Sequence, residues 1–152
     1  MANFPTIISV EATIIELPTI RPHKLSMATM RSQTMVIVKI TSDDDIIGWG
    51  EATTIAGMNY GPESPEAMKL SIDQYIAPLI LGKDASTLNA LMHLINENVK
   101  GSTFAKAGIE TALLDALGKK LNVSVAQLLG GSVRKELPVL WTLFFFRYAR
   151  SW

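Results

Sequence analysis

Few side chains in this sequence have the types and spacing that catalysis requires. The two histidines, His23 and His93, do not have the spacing of a metal-ligand pair. No serine occupies a nucleophile elbow, and the glycines form neither a Walker loop nor a dinucleotide-binding fingerprint. His93 lies in a segment of helical period, where we expect a partly buried, structural imidazole. Taken alone, these residues predict no catalytic centre.

The acidic residues include one apparent cation site and no acid–base pair. Asp43, Asp44 and Asp45 are consecutive, and consecutive carboxylates cannot all face one ion, so we expect a solvated turn. Glu110 and Asp115 are five positions apart and do not share a helix face. These residues therefore predict no metal site in this chain.

The composition excludes several classes of protein. The 14 basic residues balance the 14 acidic ones, so no overall field attracts nucleic acid or an anionic membrane. With 48% apolar residues and no cysteine, the chain is expected to fold without disulfides in a reducing compartment. No stretch approaches the roughly 20 apolar residues of a membrane helix, and the N-terminus does not resemble a signal peptide. We expect a cytoplasmic protein with neither nucleic-acid nor membrane partners.

About the first fifty residues have the period-2 pattern of strands. Ile8, Val10, Ala12 and Ile14 alternate with polar residues, and two later runs, TMVIVKIT and DIIGWGEA, flank the polar turn SDDD. Residues 18–30 and 52–64 have no clean period, and both are predicted to be long loops. Long loops in a compact domain are usually functional or disordered, and the mixed composition of the second is typical of a lid.

The chain from residue 64 to residue 131 has a helical period. Ser64 followed by Pro65 predicts a helix start, Ser102 or Thr103 predicts another, and Ser124 with Gln127 has the spacing of a capping box. The predicted apolar faces consist of Met68, Ile72, Tyr75, Ile76 and Leu79, then Leu88, Leu91, Met92, Ile95 and Val99, then Ala105, Ile109, Ala112, Leu113, Ala116 and Leu117. Strands followed by helices predict an α+β fold, a three-stranded antiparallel meander with a helical bundle after it.

Four motifs, in this order and spacing, resemble the muconate cycloisomerase (muconate-lactonizing enzyme) family of the enolase superfamily. They are LPTIRPHKLSMATM, GWGEATTIAGMNYGPESPE, TFAKAGIETALLDALGKKL and LLGGSVRKELPVLWTL. The resemblance covers the chain from about Ile8 to Leu143 and is less specific for the choice between muconate and chloromuconate. It implies that residues 1–131 form the N-terminal capping domain and that residues 132–143 begin the first strand of a TIM barrel.

The resemblance implies an activity that depends on the barrel. Family members interconvert cis,cis-muconate and muconolactone, in catechol catabolism through the β-ketoadipate pathway, by way of a metal-stabilised enolate. Their barrel supplies a Lys-x-Lys pair, another lysine and carboxylates that bind Mn²⁺ or Mg²⁺. A TIM barrel takes roughly 250 residues, whereas only about twenty follow the capping region here, without a Lys-x-Lys anywhere. We expect this chain alone to lack catalytic residues, bound metal and activity, and its family to form homo-oligomers.

Two segments of this chain match the family's substrate-capping loops, residues 20–27 and residues 53–60. The residues carried over are Ile20, His23, Lys24, Ile55, Met58 and Tyr60. The resemblance implies that Ile55 and Tyr60 line the pocket over the muconate chain and that His23 and Lys24 attract a dicarboxylate. The alternatives are an ordinary solvated loop for the basic pair and packing under their own loop for Ile55 and Met58.

The last residues depart from the family pattern. Residues 144–152, FFFRYARSW, are aromatic and basic where small and polar residues are expected. A frameshift followed by an early stop gives such a tail, so we expect a truncated chain. Other interpretations stay open: a chloromuconate cycloisomerase fragment, a capping domain that a separately made barrel complements, or a non-catalytic interaction module with LWTLFFF as its apolar patch. The same patch predicts aggregation or chaperone binding.

Overall fold

The computed structural model describes residues 5–26 and 28–139, and the sheet comes first along the chain. Strands β1 (Ile7–Lys24), β2 (Thr29–Ser42) and β3 (Ile47–Thr53) form one antiparallel sheet in the order β1-β2-β3. The register pairs Ala12 with Val38 and Val38 with Gly50. The predicted three-stranded meander is confirmed.

Helices follow the sheet, which confirms the α+β fold. Ser64 caps the first helix by accepting a hydrogen bond from the Ala67 N–H at 3.2 Å, and Ser124 and Gln127 form the predicted capping box. None of the helices in the described ranges is long and apolar enough to cross a membrane. The helices are α1 (Pro65–Ser71), α2 (Ala77–Ile80), α3 (Leu88–Asn98), α4 (Thr103–Leu121) and α5 (Val125–Leu128), with a π-helical turn (Ile72–Ile76) between α1 and α2.

The core lies between one face of the sheet and the helices. Val36, Val38 and Ile40 alternate on β2 and are almost fully buried, as are Ile109 and Leu113 on α4. Helix α4 approaches β3 very closely, because a Cβ atom on Gly50 would lie 2.0 Å from the carbonyl oxygen of Gly108. The small residues Gly108 and Ala112 on α4 therefore permit this close packing.

The prediction that residues 18–30 form a long loop is wrong. Strand β1 continues to Lys24 and β2 begins at Thr29, with a register shift between Pro18 and His23. Most β1 side chains after Ile15 are exposed, so this part of the hairpin has no buried face to produce an alternating pattern. Both prolines of the segment lie in β1, an edge strand, where a missing N–H is tolerated.

Three side chains face the other way from the predicted direction. Ile8 is 56% exposed while Ile7 is buried, because the register shifts between Ile7 and Ser9. Tyr75 is 60% exposed, since the π-helical turn directs its neighbours Ile72 and Ile76 inward. The side chain of His93 is 74% exposed, not partly buried, because it projects from the face of α3 opposite the buried residues and lies 3.2 Å from Glu97.

The turn between β2 and β3 directs its carboxylates to separate partners. Asp43 accepts a hydrogen bond from the Thr6 N–H at 2.8 Å, and Asp44 accepts from Ser42 Oγ and from Lys120 Nζ at 2.6 Å. Asp45 has a positive φ of 63°. The predicted polar turn is confirmed, and the Asp44–Lys120 contact ties it to the end of α4.

The Asp44→Asn variant is expected to lose less stability on acidification than the wild type does. Hydrogen bonding to Lys120, followed by that to Ser42, lowers the pKa of Asp44. A carboxyl whose pKa is lower in the folded state stabilises the fold above its unfolded pKa, and that contribution is lost as the pH falls through the folded pKa. We expect the variant to lose less than about 1 kcal/mol at pH 7 and to show a flatter profile below about pH 4.

Urea midpoints between pH 2 and pH 7 measure this effect. The matched control is Asp45→Asn, which removes the same charge from the same turn without touching the Lys120 contact. Equal slopes in acid for the wild type and Asp44→Asn would contradict the assignment.

The segment after α5 has no regular secondary structure as far as it is described. Residues 132–139 form neither helix nor strand, and Val133, Leu137 and Val139 are 97%, 77% and 81% exposed. Because a strand needs neighbours for its backbone hydrogen bonds, the assignment of residues 132–143 to a barrel strand stays a prediction. Residues 140–143 and the tail 144–152 lie outside the described residues.

Candidate functional site

The two segments expected to cap a substrate leave the sheet at the same end. Strand β3 pairs with β2 as far as Met35 and Thr53, and the chain then departs into residues 54–63, here called the loop. Strands β1 and β2 continue past that point as a two-stranded extension to the Lys24–Thr29 pair. This extension, residues 16–24 and 29–34, is here called the ribbon. Antiparallel order thus brings both segments to one edge of the fold.

The carried-over residues are exposed in these two segments. Ile20 is fully exposed on the ribbon, and Ile55, Met58 and Tyr60 are 39%, 67% and 66% exposed on the loop. The loop therefore presents apolar side chains to solvent, and Ile55 and Met58 are not buried beneath it. His23 and Lys24 are exposed at the end of β1, opposite Met30 and Thr29 of β2.

Gln33 connects the ribbon to the loop. Its side-chain amide donates to Thr53 Oγ1 at 2.7 Å and to the carbonyl oxygen of Thr54 at 2.7 Å. The backbone of Gln33 pairs with Leu17 in the ribbon. The two segments are therefore joined by direct hydrogen bonds at the point where the loop begins.

The loop has an internal framework of short-range hydrogen bonds. Thr54 is buried, and its hydroxyl donates a hydrogen bond to the carbonyl oxygen of Gly57 at 3.1 Å. Ala56 has a left-handed φ of 52°, and its carbonyl oxygen accepts from the Asn59 side-chain amide at 2.8 Å. A single 3-10 turn, Gly57–Asn59, completes this arrangement. The loop is thus a defined structure that projects its apolar side chains outward.

The far end of the loop is fixed to the start of α4. Glu63 is only 8% exposed, and its carboxylate accepts from the backbone N–H groups of Phe104 at 2.8 Å and Ala105 at 3.3 Å. Gly61 lies against Phe104, since a Cβ atom there would be 2.7 Å from the ring. A negative charge at a helix N-terminus is favourable because the first N–H groups have no partner within the helix.

Sequence reasoning missed the residues that hold the site in place. Gln33, Thr54 and Glu63 contact groups that are distant in the chain or that depend on the course of the loop. Gly61 makes room for the ring of Phe104, which is likewise distant in the chain. The local sequence offers one weak signal, the polar Gln33 next to the predicted start of β2 at Thr34. Glu63 precedes α1 but binds the start of α4, so nothing in its own neighbourhood points to that contact.

The described residues do not fit a divalent metal ion. Mn²⁺ and Mg²⁺ need several oxygen or nitrogen ligands that converge on one point. Within residues 5–26 and 28–139, no three His, Asp or Glu side chains lie close enough together to hold an ion. The best-placed carboxylate near the loop, that of Glu63, already accepts two backbone N–H groups. No step of a reaction is therefore assigned to a metal bound to these residues.

Comparisons with known proteins agree on one family. Residues 9–130 match the family described as "Mandelate racemase / muconate lactonizing enzyme, N-terminal domain". Muconate cycloisomerase 1-1 of Acinetobacter lwoffii is 58% identical over 138 residues, which are 91% of this chain and 36% of that protein. The crystal structure of muconate lactonizing enzyme from Pseudomonas fluorescens, complexed with muconolactone, matches with a TM-score of 0.88 at 52% identity.

The match to these relatives is confined to part of their length. The alignment with the Pseudomonas fluorescens structure covers 90% of this chain and 37% of that chain. The structure of 2-chloromuconate cycloisomerase from Rhodococcus opacus 1CP matches with a TM-score of 0.86 at 43% identity, again over 90% of this chain and 37% of the other. The chain thus spans little more than a third of the length of the proteins it resembles.

Proposed function

The chain belongs to the family of mandelate racemase and muconate lactonizing enzyme N-terminal domains, and from this membership we propose that it is the substrate-capping domain of a muconate cycloisomerase. The reaction of the complete protein is the interconversion of cis,cis-muconate and muconolactone, a step of catechol catabolism. The high identity to a muconate cycloisomerase supports muconate as the substrate, and the lower identity to a 2-chloromuconate enzyme makes chloromuconate the alternative.

The observation that carries the proposal is the shared position of the ribbon and the loop. They leave one end of the sheet, are joined by Gln33, and present Ile20, Ile55 and Tyr60 to solvent. An apolar surface with that exposure is suited to cover the hydrocarbon chain of a bound ligand, since ligand sites combine apolar walls with a few polar groups. On the ribbon, the exposed Lys24 supplies positive charge for a carboxylate and the exposed His23 an imidazole that can donate a hydrogen bond to it.

The chemistry of the reaction belongs to the part of the complete protein that corresponds to the barrel. That part supplies the lysines and the Mn²⁺ or Mg²⁺ that stabilise the enolate. The residues of this chain bind and orient the dicarboxylate, and they exclude water from the side of the ligand that the ribbon and the loop cover. The complete protein is proposed to act in the cytoplasm as a homo-oligomer. The 152-residue chain alone is expected to show no lactonization.

A domain exchange tests the proposal. The 138-residue matching segment of the Acinetobacter lwoffii enzyme is replaced by its counterpart from this chain, and the hybrid is assayed with cis,cis-muconate and Mn²⁺. We expect kcat/KM within about tenfold of the parent enzyme, because the exchanged segment positions substrate and carries no reacting group. The parent enzyme without its N-terminal segment is the control and is expected to be inactive.

Two results would count against the proposal. A hybrid that is folded and binds Mn²⁺ but does not convert cis,cis-muconate would contradict the capping function. A hybrid with higher kcat/KM for a chloromuconate than for cis,cis-muconate would instead select the alternative substrate.

A further inference from the structure

We propose that Gln33 is a positioning residue that joins the ribbon and the loop into one capping unit. The inference rests on the proposed function, since it concerns how both segments close over the same substrate. It assigns a role to a residue that lies outside the two segments matched to the capping loops.

The geometry places the Gln33 side chain where the sheet would otherwise continue. The β2–β3 pairing ends at Met35 and Thr53. If the register continued, Ile55 would lie opposite Gln33, but the chain leaves the sheet at Thr54. The side-chain amide of Gln33 takes the place of the missing backbone pair by donating to Thr53 Oγ1 and to the Thr54 carbonyl oxygen, both at 2.7 Å.

These hydrogen bonds are well suited to couple the motion of the ribbon to the motion of the loop. A primary amide has two N–H donors, and each has a short acceptor on the loop side; the remaining contact, to the Thr34 carbonyl oxygen, is longer at 3.3 Å. Thr54 is 6% exposed, so loss of the Gln33 amide would leave the carbonyl oxygen of a largely buried residue without this hydrogen-bond donor, which is costly. With Glu63 fixing the far end of the loop to α4, Gln33 fixes the near end to the ribbon. Ordering of one segment by substrate therefore extends to the other.

Hydrogen exchange of the 152-residue chain tests the coupling without any ligand. Gln33→Glu keeps the shape of the side chain, but an ionised carboxylate cannot donate to the Thr54 carbonyl oxygen and faces it unpaired, even where the Thr53 hydroxyl turns to donate to the carboxylate. We expect amide exchange in residues 55–61 to accelerate by about tenfold. Thr53→Val, which removes one of the two acceptors, is expected to give a smaller acceleration and serves as the second variant if Gln33→Glu does not fold.

Glu11→Gln is the matched control. It makes the reverse exchange of carboxylate and amide on the same sheet, at a cross-strand contact of Glu11 with Lys39 at 3.0 Å. Its loop amides are expected to exchange as in the wild type. Unchanged loop exchange in both Gln33→Glu and Thr53→Val would overturn the proposed coupling.

Kinetics of the hybrid enzyme test the positioning role. Gln33→Glu is expected to raise KM for cis,cis-muconate by about tenfold while kcat falls by less than about threefold, a split that a general loss of stability would not produce. Glu11→Gln should change neither constant. Faster loop exchange with an unchanged KM would overturn the role in substrate positioning. An unmodified hybrid that is folded but inactive would contradict the proposed function, while the exchange result would still support the coupling.

Discussion

Gly50→Ala is expected to destabilise the fold by at least about 3 kcal/mol. The added Cβ atom would lie 2.0 Å from the Gly108 carbonyl oxygen, 2.8 Å from the Ala112 backbone nitrogen and 2.8 Å from Thr111 Oγ1. Two of these three atoms belong to the backbone of α4, so no side-chain rotation relieves the overlap. The helix must move away from β3, which opens the core around Val38 and Ile109, both fully buried.

Thermal and urea unfolding of the purified chain measure this effect. A loss of 3 kcal/mol corresponds to a fall in Tm of roughly 10 °C for a domain of this size. Gly57→Ala is the matched control, because a Cβ atom there meets nothing within 4 Å and only the positive φ of 61° opposes it. That control is expected to cost about 1 kcal/mol. If Gly50→Ala were no more destabilising than Gly57→Ala, that result would contradict the close approach of α4 to β3 at Gly50.

Glu63→Ala is expected to cost about 2–3 kcal/mol, because hydrogen bonds to a charged group are strong and their loss leaves buried donors unpaired. The N–H groups of Phe104 and Ala105 lose their acceptor, and Ala105 is fully buried. Ser102, at the N-cap of α4, makes no side-chain capping bond that could replace it. The start of α4 and the far end of the loop should loosen together.

The loss is measured by urea unfolding, and the local effect by hydrogen exchange of residues 57–61. Glu63→Gln is expected to fall between the wild type and Glu63→Ala, since it retains a neutral acceptor without the charge. Glu66→Ala is the matched control, an exposed carboxylate in the first turn of α1, and should cost clearly less than Glu63→Ala because solvent screens its charge. Equal losses for Glu63→Ala and Glu66→Ala would show that Glu63 does not anchor the loop.

The elements with a local signal could be predicted from the sequence. The helices have apolar faces and recognisable caps, and the caps at Ser64 and Ser124 have the expected geometry. The central part of the sheet has a buried face, so Val36, Val38 and Ile40 alternate with polar or half-buried residues. Each of these patterns arises from contacts within a few residues or from burial of one face, and both are visible in a single sequence.

The parts that could not be predicted depend on contacts between distant residues or on the absence of a core. The ribbon has no buried face, so its strands lack the alternation by which a strand is identified. The contact between Glu63 and Phe104 spans 41 positions, and the contacts of Gln33 with Thr53 and Thr54 span 20 and 21. The resemblance to a family predicts which two segments cap a substrate, whereas only the structure shows what holds these segments together.

In the proposed function, the ribbon and the loop of this chain cover the ligand together. Hydrogen exchange of the hybrid enzyme with Mn²⁺, with and without saturating muconolactone, tests it most directly. We expect amide exchange in residues 20–26 and in residues 55–61 to become at least about fivefold slower with ligand, while amide exchange in α3 stays unchanged. Protection confined to the barrel, with both segments exchanging as fast as in the ligand-free enzyme, would contradict it.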